Sequence, residues 1–184
     1  STVPVGSTKV VERELKRPDV AVVSNPEFLR EGSAIHDFLN PDRVVVGSDN
    51  QEAAVRVAAL YEKVGAPVVV TDPASAETIK YAANAFLATK ISYINAVAAI
   101  CEGVGADIND VVLGLGYDKR IGHEFLRPGP GWGGSCFPKD TKAMVKIAED
   151  AGYDFGLLKG VITVNDQQYG RIVDKIRTAA GGSL

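Results

Sequence analysis

The segment Gly129-Pro130-Gly131-Trp132-Gly133-Gly134-Ser135-Cys136-Phe137-Pro138-Lys139-Asp140 sets a thiol, an ammonium and a carboxylate within five positions. A thiolate can form and release a bond to carbon, so Cys136 is the candidate nucleophile. Pro138 suits the first turn of a helix. Cys136 then sits at that helix's N-terminal end with Lys139 close by, a setting in which cysteines react. The glycines let backbone approach a ligand and supply unusual dihedrals. Asp140, four residues on, is placed to hold a water or a proton. The plain alternative is a buried, inert cysteine beside a capping loop. Cys101 fits that description, because it continues the apolar helical pattern of Val97 and Ala98. Gly129, Gly131 and Gly134 spell G-x-G-x-x-G, but no strand precedes them, so the dinucleotide reading is rejected.

Two further constellations carry polar chemistry. Glu77, Lys80, Asn84 and Asn95 share one helix face, opposite Ala83, Phe86, Leu87, Ile94 and Val97. A solvated face is the ordinary explanation. Asparagine is a poor helix-interior choice, however, and Lys80 with Asn84 would offer an ammonium and an amide to a polar ligand. Both readings stand. The run Asn25-Pro26-Glu27-Phe28-Leu29-Arg30-Glu31-Gly32 follows a strand signal, and open α/β sheets place ligands at strand ends. Taken alone it reads as a solvated turn. Ser1-Thr2-Val3-Pro4-Val5-Gly6 is a weaker signal of the same kind. His36 and His123 are too few and too far apart for a zinc site, and Ser135 has no histidine nearby for a triad.

These residues need elements to hold them. Apolar runs at 20–23, 43–46 and 67–70 suit buried parallel strands. Helical spacing predicts helices over 9–16, 51–64, 74–104, 108–115, 138–151 and 157–177, with Gly103, Gly105 and Gly152 as C-terminal stops. Strand signals end at Pro73. The expected fold is an α/β remnant of a Rossmann-type domain over 1–72, followed by an all-α domain over 73–184. With 184 residues, 46% apolar and 23% charged, the chain has the composition of a globular protein. Its net charge of −3, without a basic stripe, argues against nucleic acid and anionic membranes. No apolar run approaches the ~20 residues of a membrane span. Two cysteines are too few for a disulfide framework, so the expected compartment is the cytoplasm. The absence of an initiator Met and the Gly181-Gly182 ending point to a piece of a longer chain.

Taken together, these segments resemble the UDP-glucose/GDP-mannose dehydrogenase family. The resemblance rests on the Ser1–Gly6, Asn25–Gly32 and Gly131–Asp140 motifs, with Lys80-Tyr81-Ala82-Ala83-Asn84-Ala85-Phe86 and Lys119-Arg120-Ile121-Gly122. The Arg120-Ile121-Gly122 stretch and the Cys136–Asp140 loop look most like bacterial members acting on UDP-glucose. Members acting on GDP-mannose or an N-acetylhexosamine nucleotide are the nearest rivals. The resemblance implies an N-terminal Rossmann domain with the NAD fingerprint and a further C-terminal domain, neither contained in this chain. It implies a central domain like the C-terminal part of 6-phosphogluconate dehydrogenase. It also implies a two-step oxidation through a thiohemiacetal and a thioester on Cys136.

The same resemblance implies roles for individual residues. Lys80 with Asn84 stabilises the oxyanion, Asp140 with Thr2 handles the water, and Glu27 assists hydrolysis. Phe28, Leu29, Glu31, Phe125, Leu126, Gly131, Gly133 and Gly134 lie at the nucleotide sugar, and Arg120 reaches the substrate of a neighbouring subunit. Thr2, Glu31, Cys136 and Lys139 lie near NAD, no metal takes part, and the 74–104 helix builds a homodimer. From other classes, a helical dimerisation module without chemistry remains open. A cysteine-dependent acyl transferase is disfavoured by the lack of a histidine paired with Cys136.

Overall fold

The computed structural model describes residues 2–182. Ser1, at the head of the first motif, and the terminal Ser183-Leu184 lie outside the described residues. Two compact units divide the chain between Ala82 and Ala83.

The first unit contains α1 (Ser7–Leu15), α2 (Ala34–Leu39), β1 (Val44–Gly47), α3 (Gln51–Ala59), a 3₁₀ turn (Glu62–Val64) and β2 (Val68–Thr71). The strands β1 and β2 pair in parallel, Val44 opposite Val68 through Gly47 opposite Thr71, with α3 as the crossover that parallel neighbours require. Asn50 starts α3 by accepting the Ala53 N–H at 3.0 Å. Val44, Val46 and Ala54 form its core with Val23, Val57, Ala58 and Tyr61.

Three expectations for this unit need correction. Residues 20–23 form no strand, and the chain there makes only an antiparallel bridge between Ser24 and Gly47. Val20 is largely exposed, so its run lacks the second strand that would bury it. β2 forms as expected, but Val68, Val69 and Val70 stay 40–44% exposed, so this is no buried strand. The predicted 51–64 helix ends at Ala59 and gives way to the 3₁₀ turn.

α4 (Pro73–Val104) begins in the first unit and continues into the second. Asp72 caps it, accepting from the Ser75 N–H at 2.9 Å and the Ser75 hydroxyl at 2.6 Å, and Pro73 opens the first turn. Gly103 lies inside the helix, and the stop is Gly105 at φ 74°. By length and composition α4 is apolar enough to cross a membrane, which the run-length criterion missed. Glu77, Asn84, Ser92 and Asn95, however, hydrogen-bond to other parts of the chain. The second unit adds α5 (Ile108–Tyr117), α6 (Phe137–Asp150) and α7 (Gly156–Ala179). Ala85, Ala88, Trp132, Leu158 and Val161 form its core, with Phe137 and Met144 against it.

The four polar residues expected to share one face of α4 are all buried: Glu77, Lys80, Asn84 and Asn95 are 3%, 5%, 8% and 2% exposed. The solvated-face reading is therefore wrong. Glu77 does not face a ligand with Lys80. Its carboxylate accepts from Gly6 N–H at 2.6 Å, Thr8 N–H at 2.9 Å and the Thr8 hydroxyl at 2.6 Å, capping α1 from a distance. Losing it strands three donors. Glu77→Ala should lower stability by about 3 kcal/mol and Glu77→Gln by less, measured as the shift in urea midpoint at unchanged slope.

Candidate active site

Cys136 is exposed and immediately precedes α6, whose second residue is Pro138. Its carbonyl accepts the Asp140 N–H at 2.8 Å, so Cys136 and Asp140 are tied by the first turn of α6. Asp140 is 1% exposed. Asn84 of α4 donates to its Oδ2 at 2.6 Å, and Lys139 donates to its Oδ1 at 2.5 Å. A buried carboxylate needs such donors, and the pair fixes its orientation. Lys139, expected near the thiol and NAD, donates to Asp140, its neighbour in sequence. Ser135 Oγ lies 3.7 Å from Cys136 Sγ. Cys101 is buried in α4 as expected.

The first unit holds a second set of groups. The Thr2 hydroxyl donates to Glu27 Oε1 at 2.8 Å. Burial alone would raise the Glu27 carboxyl, but hydrogen bonds, Thr2's among them, bring it below its ordinary value. Phe28 presents its ring to two cations, with Arg43 3.6 Å and Lys80 Nζ 5.4 Å from the ring centroid. Burial lowers Arg43, opposed by Asp42. The turn after Leu29 is locked by Asp37. It takes the Arg30 guanidinium at 2.6 Å, the Arg30 N–H at 2.8 Å and the Ser33 hydroxyl at 3.0 Å. The Arg30 guanidinium beside it holds the Asp37 carboxyl well below the usual carboxylate range. The run 25–32 is thus built around fixed polar contacts rather than being a merely solvated turn. Leu29 and Glu31 are exposed on it. Sequence reasoning missed Arg43 and Asp37. Asp37's only signal was its place seven residues after Arg30.

In the second unit, a cavity of about 480 Å³ is lined by Ile91, Phe125 and residues 127–131. Phe125 has φ 62°, a conformation side chains rarely adopt, and such strain clusters at ligand sites. Leu126 is 2% exposed, so its side chain packs inward rather than into the cavity. Of the expected glycines only Gly131 lines the cavity; Gly133 and Gly134 are exposed on the way to Cys136. Arg120 is outside the cavity lining, held by Asp118 at 2.5 and 2.9 Å. No metal-holding cluster of His, Cys, Asp and Glu occurs among the described residues.

Residues 74–167 match the central domain of the UDP-glucose/GDP-mannose dehydrogenase family, and residues 1–65 match its NAD-binding domain. The chain belongs to this family. It is 54% identical to the UDP-glucose 6-dehydrogenase TuaD of Bacillus subtilis, over 98% of this chain and 40% of that protein. It is 48% identical to the UDP-glucose 6-dehydrogenase of Rhizobium meliloti, over 100% of this chain and 44% of that protein. Among solved structures, a UDP-glucose dehydrogenase from Pyrobaculum islandicum superposes with a TM-score of 0.92 at 42% identity, covering 98% of this chain and 43% of that one. The chain spans 40–44% of the length of these curated relatives.

The contrast between the two thiols is directly testable. Under native conditions one equivalent of iodoacetamide should label Cys136 alone, with Cys101 reacting only after denaturation, as read by peptide mass spectrometry. Equal labelling of both would overturn the exposed-nucleophile geometry.

Proposed function

We propose that this chain is the part of an NAD-dependent UDP-glucose 6-dehydrogenase that carries its covalent chemistry, oxidising UDP-glucose to UDP-glucuronate. The observation that carries the reading is exposed Cys136 one helical turn from buried Asp140, whose carboxylate Asn84 orients. An exposed thiol can reach a substrate carbon, and a shielded carboxylate keeps one defined geometry for proton transfer.

When bound, NAD accepts the hydride that leaves the sugar's C6 in each oxidation. Thr2 and Glu27 offer a hydroxyl and a carboxylate of the types that hold a nicotinamide or its ribose, and exposed Glu31 lies on the same run. The pyrophosphate-cradling fingerprint is not among these residues. In the first oxidation Asp140, through a water, takes the proton from the C6 hydroxyl. The Cys136 thiolate then adds to the aldehyde carbon, and Asn84 stabilises the oxyanion that forms. The second oxidation leaves a thioester. Asp140 directs water at its carbonyl, and the carboxylate product departs as the Cys136–carbon bond breaks.

We further infer a homodimer built on α4. Phe86, Tyr93 and Ile100 recur every seven residues and are 65%, 56% and 63% exposed. That is the period of a helix–helix seam, and a second copy offers the same stripe. Arg120 would reach the neighbouring subunit's substrate from such a dimer. Two free thiols suit a cytoplasmic enzyme.

The full-length protein should reduce two NAD per UDP-glucose, and Cys136→Ser should lower acid formation at least about a thousandfold, followed by NADH absorbance and product chromatography. Undiminished acid yield would remove Cys136 from the chemistry. In sedimentation equilibrium the parent should be at least dimeric, and Phe86→Glu combined with Tyr93→Glu should shift it to monomer. A parent that is already monomeric at micromolar concentration would refute the seam.

A further inference from the structure

We propose that Asn165 is a positioning residue for the loop leading to Cys136, acting through the Trp132 backbone. Residues 129–132 belong to no helix or strand, so their peptide groups need partners from elsewhere. Side chains of two helices supply them. Asn95 of α4 accepts the Gly129 N–H at 2.8 Å, and Gln168 of α7 donates to the Gly129 carbonyl at 2.7 Å. Asn165, 2% exposed, accepts the Trp132 N–H at 2.7 Å and donates to the Trp132 carbonyl at 2.9 Å. Tyr169 adds its hydroxyl to that same carbonyl at 2.6 Å. One carboxamide thus pairs with both polar groups of one residue, as a neighbouring strand would. An amide suits this task, because it holds a donor and an acceptor side by side on one planar group.

The grip extends to both functional features of the loop. Gly131 has φ 112°, and a Cβ there would lie 2.8 Å from Asn165 Oδ1, so the carboxamide occupies the space a side chain would need. Gly129 and Gly131 line the 480 Å³ cavity, so the clamp shapes its wall. At the other end, the Trp132 ring packs edge-on against Phe137 with centroids 6.3 Å apart, and its indole N–H donates to Ser92 Oγ at 2.8 Å. The span 133–136, ending at Cys136, is therefore strung between clamped Trp132 and Phe137, the first residue of α6. Moving Trp132 moves one support of that span.

The test uses the full-length protein and three variants: Asn165→Asp, which keeps the shape but loses the donor when ionised, Gln168→Ala and Tyr169→Phe. Two quantities are read on samples whose circular dichroism matches the parent. Asn165→Asp should raise KM for UDP-glucose about tenfold or more, from the loss of a buried hydrogen bond, with a smaller change in kcat. It should also change the iodoacetamide alkylation rate of Cys136 at least about threefold. Gln168→Ala, which releases only Gly129 at the cavity wall, should raise KM and leave the alkylation rate alone. Tyr169→Phe should move both quantities in the direction of Asn165→Asp and carries the test if that variant does not fold. Folded Asn165→Asp with parental KM and parental alkylation rate overturns the proposal, as does parental behaviour of Tyr169→Phe where it stands in. The KM arm rests on the reaction proposed above, and the alkylation arm does not. A parent inactive on UDP-glucose would sink that reaction, while the alkylation rates would still decide the role of Asn165.

Discussion

A polar side chain is buried at least cost where it finds hydrogen-bonding partners, and α4 buries Glu77, Asn84, Ser92 and Asn95 outright, along with Lys80, in a helix otherwise apolar enough for a bilayer. Their partners lie far away in sequence. Glu77 holds the start of α1, Asn84 the Asp140 carboxylate, and Asn95 the Gly129 peptide, while Ser92 receives the Trp132 indole and donates to the Val161 carbonyl. Most of these bonds tie a segment without regular structure, or the first turn of a helix, to α4, and an all-apolar helix would leave those segments without anchors.

The glycine-rich loop answers the same constraint from the other side. A helix or a paired strand would have its peptide groups satisfied but would leave no open backbone to line a cavity. Irregular backbone exposes that surface and must be tied down by side chains instead. Asparagine and glutamine at 95, 165 and 168 do this, and Gly131 makes room for one of them. Gly47 shows a related economy of space in the first unit. A Cβ on it would lie 2.4 Å from the Ala76 Cβ, so β1 runs as close to α4 as backbone permits.

The helices were legible because their cues are local. Apolar spacing and Gly105 defined α4, and Pro138 placed Cys136 at the head of α6. Strand status was less legible, because it depends on partners. The valines at 20–23 and 68–70 read alike, yet only the second run pairs with β1, and even it remains half exposed. α2 escaped notice, since six residues with His36 and Asp37 carry little periodicity. Residue types singled out Cys136, Lys80, Asn84 and Asp140, but not the pairings they make. Asn84 meets Asp140 across 56 positions, and Asn165 meets Trp132 across 33, distances over which no spacing rule operates. Glu77 was misread for a similar reason: helical periodicity gave the correct face and could not say that α1 would cover it.

In the proposed reaction Cys136 and Asp140 need two kinds of environment. A nucleophile must be open to a ligand, and exposed Cys136 stands at a helix end where the chain leaves it uncovered. A carboxylate that handles protons must be held still, and Asp140 is enclosed with its two oxygens each committed to one donor. Exchanging these environments would defeat both proposed roles: a buried thiol could not meet a ligand carbon, and a free carboxylate would rotate and be solvated by bulk water. One turn of α6 places the two groups on either side of the boundary between solvent and core. The proline in that turn and the asparagine across from it hold the boundary where the chemistry requires it.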